Sequence, residues 1–172
     1  MRNPLHVSPT LHRTIVLAGL AGALAEVVWV ALFCGVTAQG GFDVLRQIAA
    51  SFTPAIADSA WAPAIGLAEH FALGVLVAYG FALVLWRPFA RRRGAAATLG
   101  VALLALGAIW TINFFVLLPV VNPHFVRLLP YAVTFLSKLL FGIALAATLS
   151  SHAAQPMAAN LRRSRALRAA RA

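Results

Sequence analysis

Glu26, Glu69, His70, Asn113 and Lys138 carry charge or hydrogen-bonding capacity into long apolar runs. Glu69 and His70 are adjacent in "AIGLAEHFALGVLVAYG", and Lys138 lies in "TFLSKLLFG". The chain holds only four acidic residues, and Lys138 is its single lysine. Each charge near the centre of a membrane helix costs about 2.5 to 3.5 kcal/mol, so such groups pair inside a bundle. Glu69 and Glu26 are therefore candidates to neutralise Lys138, with His70 and Asn113 completing the hydrogen bonds. Two carboxylates and one ammonium leave one negative charge unmatched. Either His70 is charged or a carboxyl group keeps its proton, and that tension would make the site proton-responsive. A buried ion pair can equally do no more than lock helices in register.

A shared cluster requires elements that bring these residues to one depth. At about 1.5 Å per residue, Glu26 lies about 15 Å from the outer end of its span, Glu69 and Lys138 about 12 Å, and Asn113 about 9 Å. Depth slightly favours Glu69 as the partner of Lys138. Small residues flank the polar ones at helical spacing: Gly66, His70 and Gly74; Gly19, Gly22 and Glu26; Tyr131, Thr134, Lys138 and Gly142. Such stripes let helices approach closely.

The elements themselves follow from composition. Of 172 residues, 62% are hydrophobic and 10% charged, against about 25% charged in a soluble domain. The apolar runs reach the roughly 20 residues a spanning helix needs and show no alternation of the kind found in barrel strands. The fold class expected is all-α, a four-helix transmembrane bundle. Its spans run from about Thr14 to Thr37, Trp61 to Trp86, Ala95 to Pro119 and Asn122 to Leu149, with tails at 1–13 and 150–172. Asn122 is the predicted N-cap of the fourth span, Pro123 its first helical residue and Pro130 a kink within it. Trp61, Trp86 and Tyr131 sit at predicted span ends, where amphipathic rings belong. Cys34 reads as a small buried hydrophobe.

The net charge of +10 is concentrated in the tails and one loop. Arg2 and Arg13, then Arg87 and Arg91 to Arg93, then Arg162, Arg163, Arg165, Arg168 and Arg171 oppose only Arg46 and Arg127 on the other side. The positive-inside rule makes the protein N-in and C-in, in a bacterial inner membrane. Arg91, Arg92, Arg93, Arg162, Arg163 and Arg165 are expected to contact anionic lipid. The bilayer is thus the first partner, followed by a homo-oligomer or a larger membrane complex. No nucleic-acid binding is expected. In the first external loop, "GFDVLRQIAASF" places Phe42, Leu45, Ile48, Ala49 and Phe52 on one face, as in a short interfacial helix.

No nucleotide loop, paired-cysteine site or HExxH motif is present. His70 is the one histidine predicted well inside a span, which argues against a bis-histidine haem. No cofactor or metal is expected, nor enzymatic activity. The runs "AEVVWVALF", "GLAEHFALGV" and "WTINFFVLLPVVNPHFVRLLPYAVTFLSKLLFG" resemble a group of small four-span bacterial inner-membrane proteins of unknown function. The similarity covers residues 14 to 149. It implies the fold and the membrane and transfers no activity. The expected role is structural or accessory. The alternative is a minimal proton-coupled transporter or channel subunit for a small solute.

Overall fold

The computed structural model describes the backbone of residues 8–37 and 40–169, with side chains up to residue 153. Among the described residues the chain is helical and has no strand. Four helical runs, Pro9–Thr37, Ala62–Ala90, Ala95–Val121 and Tyr131–Ala153, are long and apolar enough to cross a membrane.

Helix α1 spans Pro9–Thr37 and α2 spans Gly41–Phe52. Helix α3, Ala62–Gly80, continues as a π-helical stretch over Phe81–Ala90. Helix α4, Ala95–Ile112, continues through a π-helical stretch, Asn113–Leu117, into α5, Leu118–Val121. Two further helices follow, α6 over Pro123–Leu128 and α7 over Tyr131–Ala169. Proline accompanies both π stretches: Pro88 lies inside the first and Pro119 just beyond the second. A proline removes an i→i−4 hydrogen bond and crowds the preceding turn, and a widened turn relieves both.

The small-residue stripes form the helix junctions. A Cβ on Gly19 would lie 2.6 Å from the Val75 Cα, and one on Gly74 would lie 2.8 Å from the Ala23 Cβ. These contacts define the α1–α3 crossing. Gly22 receives the ring of Phe141, and Gly142 faces the Ala102 backbone, which joins α7 to α1 and to α4. Helices α1 and α7 run antiparallel along one seam. Its successive rungs are Thr14 with His152, Gly22 with Phe141, Glu26 with Ser137 and Lys138, and Trp29 with Val133. A hydrogen bond between Tyr79 and His12 brings the far end of α3 to the start of α1. The π stretch after α3 packs on α4. The bundle is therefore tight at the end that carries Arg91 to Arg93, around Ile15, Phe81, Trp86, Leu106, Phe141 and Leu145.

Two sequence expectations are corrected. Trp86 is not an interfacial anchor; it is 1% exposed, among the buried Phe81, Ala82 and Ala90 of the same stretch. Pro130 does not kink the fourth span but ends α6. The residue before a proline avoids the α region, and Leu129 is extended at φ −129° and ψ 145°. In α2 the buried side chains are Val44, Ala49 and Ala50, whereas Phe42 and Phe52 are exposed. A Cβ on Gly66 would collide with the Leu45 carbonyl oxygen, so α2 rests on α3 by its backbone. Asn122 caps α6 as expected, accepting from the Phe125 amide at 3.1 Å. Cys34 is buried and free.

Candidate functional site

Glu26 is held at the α1–α7 seam, one helical turn from the point where Gly22 admits Phe141. The Lys138 Nζ lies 2.7 Å from Glu26 Oε1 and donates to Oε2 at 2.9 Å. The Ser137 hydroxyl is 3.2 Å from Oε1 and 2.8 Å from the Thr134 carbonyl. From α3, His70 Nε2 lies 3.6 Å from Glu26 Oε2 and donates to the Ala23 carbonyl at 3.2 Å. A carbonyl oxygen only accepts, so this bond places a ring proton on Nε2. Glu26 is 3% exposed. A carboxylate at that depth needs its counter-charge, and Lys138 supplies it.

The choice of carboxylate differs from the one that depth favoured. The pairing of Lys138 with Glu69, slightly favoured by depth, gives way to pairing with Glu26. The reason is rotational: Glu69 is displaced about 100° from His70 around α3, and His70 takes the face towards α1. The Glu69 Oε2 is buried without a hydrogen-bond partner. The Glu26–Lys138 pair is neutral by itself.

Above the pair lies a cavity of about 810 Å³. Glu26, His70, Asn113, Thr134, Ser137 and Lys138 provide its polar lining beside the pair, and Ser51 adds a hydroxyl from α2. Val30, Leu45, Ile48, Leu73, Phe114 and Leu117 provide much of its apolar wall. Phe42, Phe52, Leu117 and Val121 also line it and are exposed, which marks its open side. Around it the π stretch after α3 packs on α4, α2 packs on α3, and α7 packs on both α1 and α4. The second π stretch starts at Asn113, which lines the cavity.

No family model, curated protein or solved structure significantly matches the chain. The site is therefore read from its own geometry.

Several groups that sequence reasoning left aside hold this region together. Trp110 Nε1 donates to the Thr134 hydroxyl at 3.0 Å, and Thr134 donates to the Tyr131 carbonyl at 3.1 Å. Trp29 Nε1 donates to the Val133 carbonyl at 3.0 Å. The Asn122 amide nitrogen reaches the Gln47 carbonyl, Gln47 Oε1 and Ser51 Oγ at 3.0 to 3.1 Å, tying α6 to α2. Arg46 donates to the Ala57 and Ser59 carbonyls at 3.2 and 2.9 Å, pinning the loop behind α2. The only hint of these ties in the sequence was the Asn122 cap and the helical spacing of Thr134 and Lys138.

Of the arginines expected at anionic lipid, Arg91, Arg92 and Arg93 are exposed at the end where α1 starts. Arg162, Arg163 and Arg165 have side chains outside the described residues. Among the described residues, no three His, Cys, Asp or Glu side chains are grouped to hold a metal ion.

Proposed function

We propose that this chain is a multi-pass protein of the bacterial inner membrane that holds a small amphiphilic molecule in the cavity above Glu26 and Lys138. In this reading the arginine-rich end is cytoplasmic, and α2 and α6 lie at the periplasmic surface. The role is non-enzymatic and accessory, exercised as a homo-oligomer or within a larger membrane complex. The observation that carries the reading is the cavity itself. At about 810 Å³ it falls within the roughly 300–1,000 Å³ range of ligand sites. Its wall is mostly apolar, with a few polar groups at one end, the usual pattern of a site that orients a ligand.

A proton-coupled transporter draws support from His70 beside Glu26. It draws none from the space beneath the pair, where Phe141 fills the gap between Gly22 and Gly74. A small solute would have to displace that ring.

Native mass spectrometry after gentle extraction tests the binding reading. The wild type should retain a bound amphiphile, and Leu73→Trp, which fills the cavity from α3, should lose it while remaining folded. Retention of the same adduct by Leu73→Trp, or no adduct on either protein, would count against the proposal. Co-purification of a partner protein with both forms would separate the accessory role from ligand binding.

A further inference from the structure

We infer, building on the reading of the cavity as a ligand site, that its occupant is a neutral amphiphile whose head presents a carbonyl oxygen to Lys138 and Asn113. Three observations lead there. The first is charge. Lys138 is already paired with Glu26 at 2.7 Å, and His70 already donates to the Ala23 carbonyl. An anionic or cationic head entering this apolar space would meet no unmatched counter-charge, and an unpaired buried charge is strongly disfavoured.

The second is the set of unused hydrogen-bonding groups. An ammonium has three N–H donors. Two at most point to the Glu26 oxygens, so at least one N–H is left over, and Lys138 lines the cavity. Asn113 lines the cavity and makes no side-chain hydrogen bond among the described residues. Its NH₂ group is a second donor. By contrast, the Thr134 hydroxyl is engaged with Trp110 and Tyr131, and the Ser51 hydroxyl with Gln47 and Asn122. The cavity end is thus rich in available donors, and a carbonyl oxygen has two lone pairs to receive them.

The third is the wall. Val30, Ile48, Leu73 and Leu117 lead from the polar end to an open side edged by exposed Phe42 and Val121. A hydrocarbon tail can lie along them and continue past the mouth without burying a polar group.

Two kinds of membrane molecule share this chemistry: a quinone ring with an isoprenoid tail, and the ester carbonyls of a neutral glyceride. Binding to the purified full chain in detergent would be measured with four probes. These are a decyl benzoquinone, 1,2-dioctanoylglycerol, decanoate and decyltrimethylammonium. At least one of the two neutral carbonyl probes should bind about ten-fold tighter than either charged probe. The tighter of the two identifies the head. Asn113→Leu should weaken that probe by about five-fold, the size of one lost hydrogen bond, with unchanged thermal stability. If decanoate or the ammonium binds as tightly and Leu73→Trp abolishes it, the head-group inference fails and the cavity reading stands. If Asn113→Leu leaves the neutral probe's affinity unchanged, the assignment of its donors fails. If none of the four binds, both readings fall.

Discussion

At the scale of single residues, Glu26 and Lys138 are the pair on which the others depend. Lys138→Met should destabilise the fold by about 3 to 5 kcal/mol, because it strands a buried carboxylate. Replacing Glu26 by Leu in the same protein should recover most of the loss. Reversible unfolding in mixed micelles would measure both. A double variant no more stable than the sum of the two singles would remove the pairing claim. Glu69 provides the contrast. Its Oε2 is buried with no partner, so Glu69→Leu removes an unsatisfied group and should leave stability unchanged or higher. The sequence made both glutamates equal candidates. Composition and depth could show that an ammonium needed a carboxylate. They could not choose between two carboxylates about 3 Å apart in depth, because that choice turns on rotation around α3. Ser137, one residue from Lys138 and bonded to the same carboxylate, gave no signal of its own, since serine is common in membrane helices.

At the scale of elements, glycines decide which helices can touch. Gly66 lets the α2 backbone rest on α3. Gly66→Val should dislodge α2 and open the cavity further, whereas Gly80→Ala, at a position with nothing within 4 Å, should be silent. Proteolysis of the loop after α2 is a suitable readout, with faster cleavage expected for Gly66→Val alone. Equal cleavage rates would show that α2 does not depend on this contact. The four spans were legible because a bilayer imposes both length and apolarity on the sequence. The π stretches were not, because Pro88 and Pro119 mark a disturbance without telling whether the helix bends, ends or widens. Trp86 lies within the first stretch and Asn113 at the start of the second. The stop at Leu129 was half legible: Pro130 announced a disturbance, but whether a proline bends or ends a helix depends on what its neighbours pack against.

At the scale of the whole molecule, arginine placement and helix count argue for one orientation. With Cys34 replaced by Ala, single cysteines at Thr53 or Asp58 should react with a membrane-impermeant maleimide from the periplasmic side. A cysteine at Arg93 should react only after the membrane is opened. The reverse pattern would invert the proposed topology. Thr53, Asp58 and Arg93 are all exposed, so a failure to label would reflect sidedness and not burial. Architecture could be anticipated from sequence because it follows from solvent partitioning. The cavity could not, since it is a space left by how four helices splay, and no residue type encodes a space.

The Glu26–Lys138 bond joins the first span to the last, across 112 residues of chain. At about 5 to 20 residues per second, a ribosome needs roughly 6 to 22 seconds to make Lys138 after Glu26. During that interval the first span must remain in the bilayer with its acidic side chain unmatched. The Gly19–Gly74 contact with α3 forms earlier and can shelter it. Final assembly therefore waits on the last helix to arrive, and a chain halted before α7 would leave an acidic side chain unpaired in lipid. Such a chain should be removed by quality-control proteolysis far faster than the full-length protein.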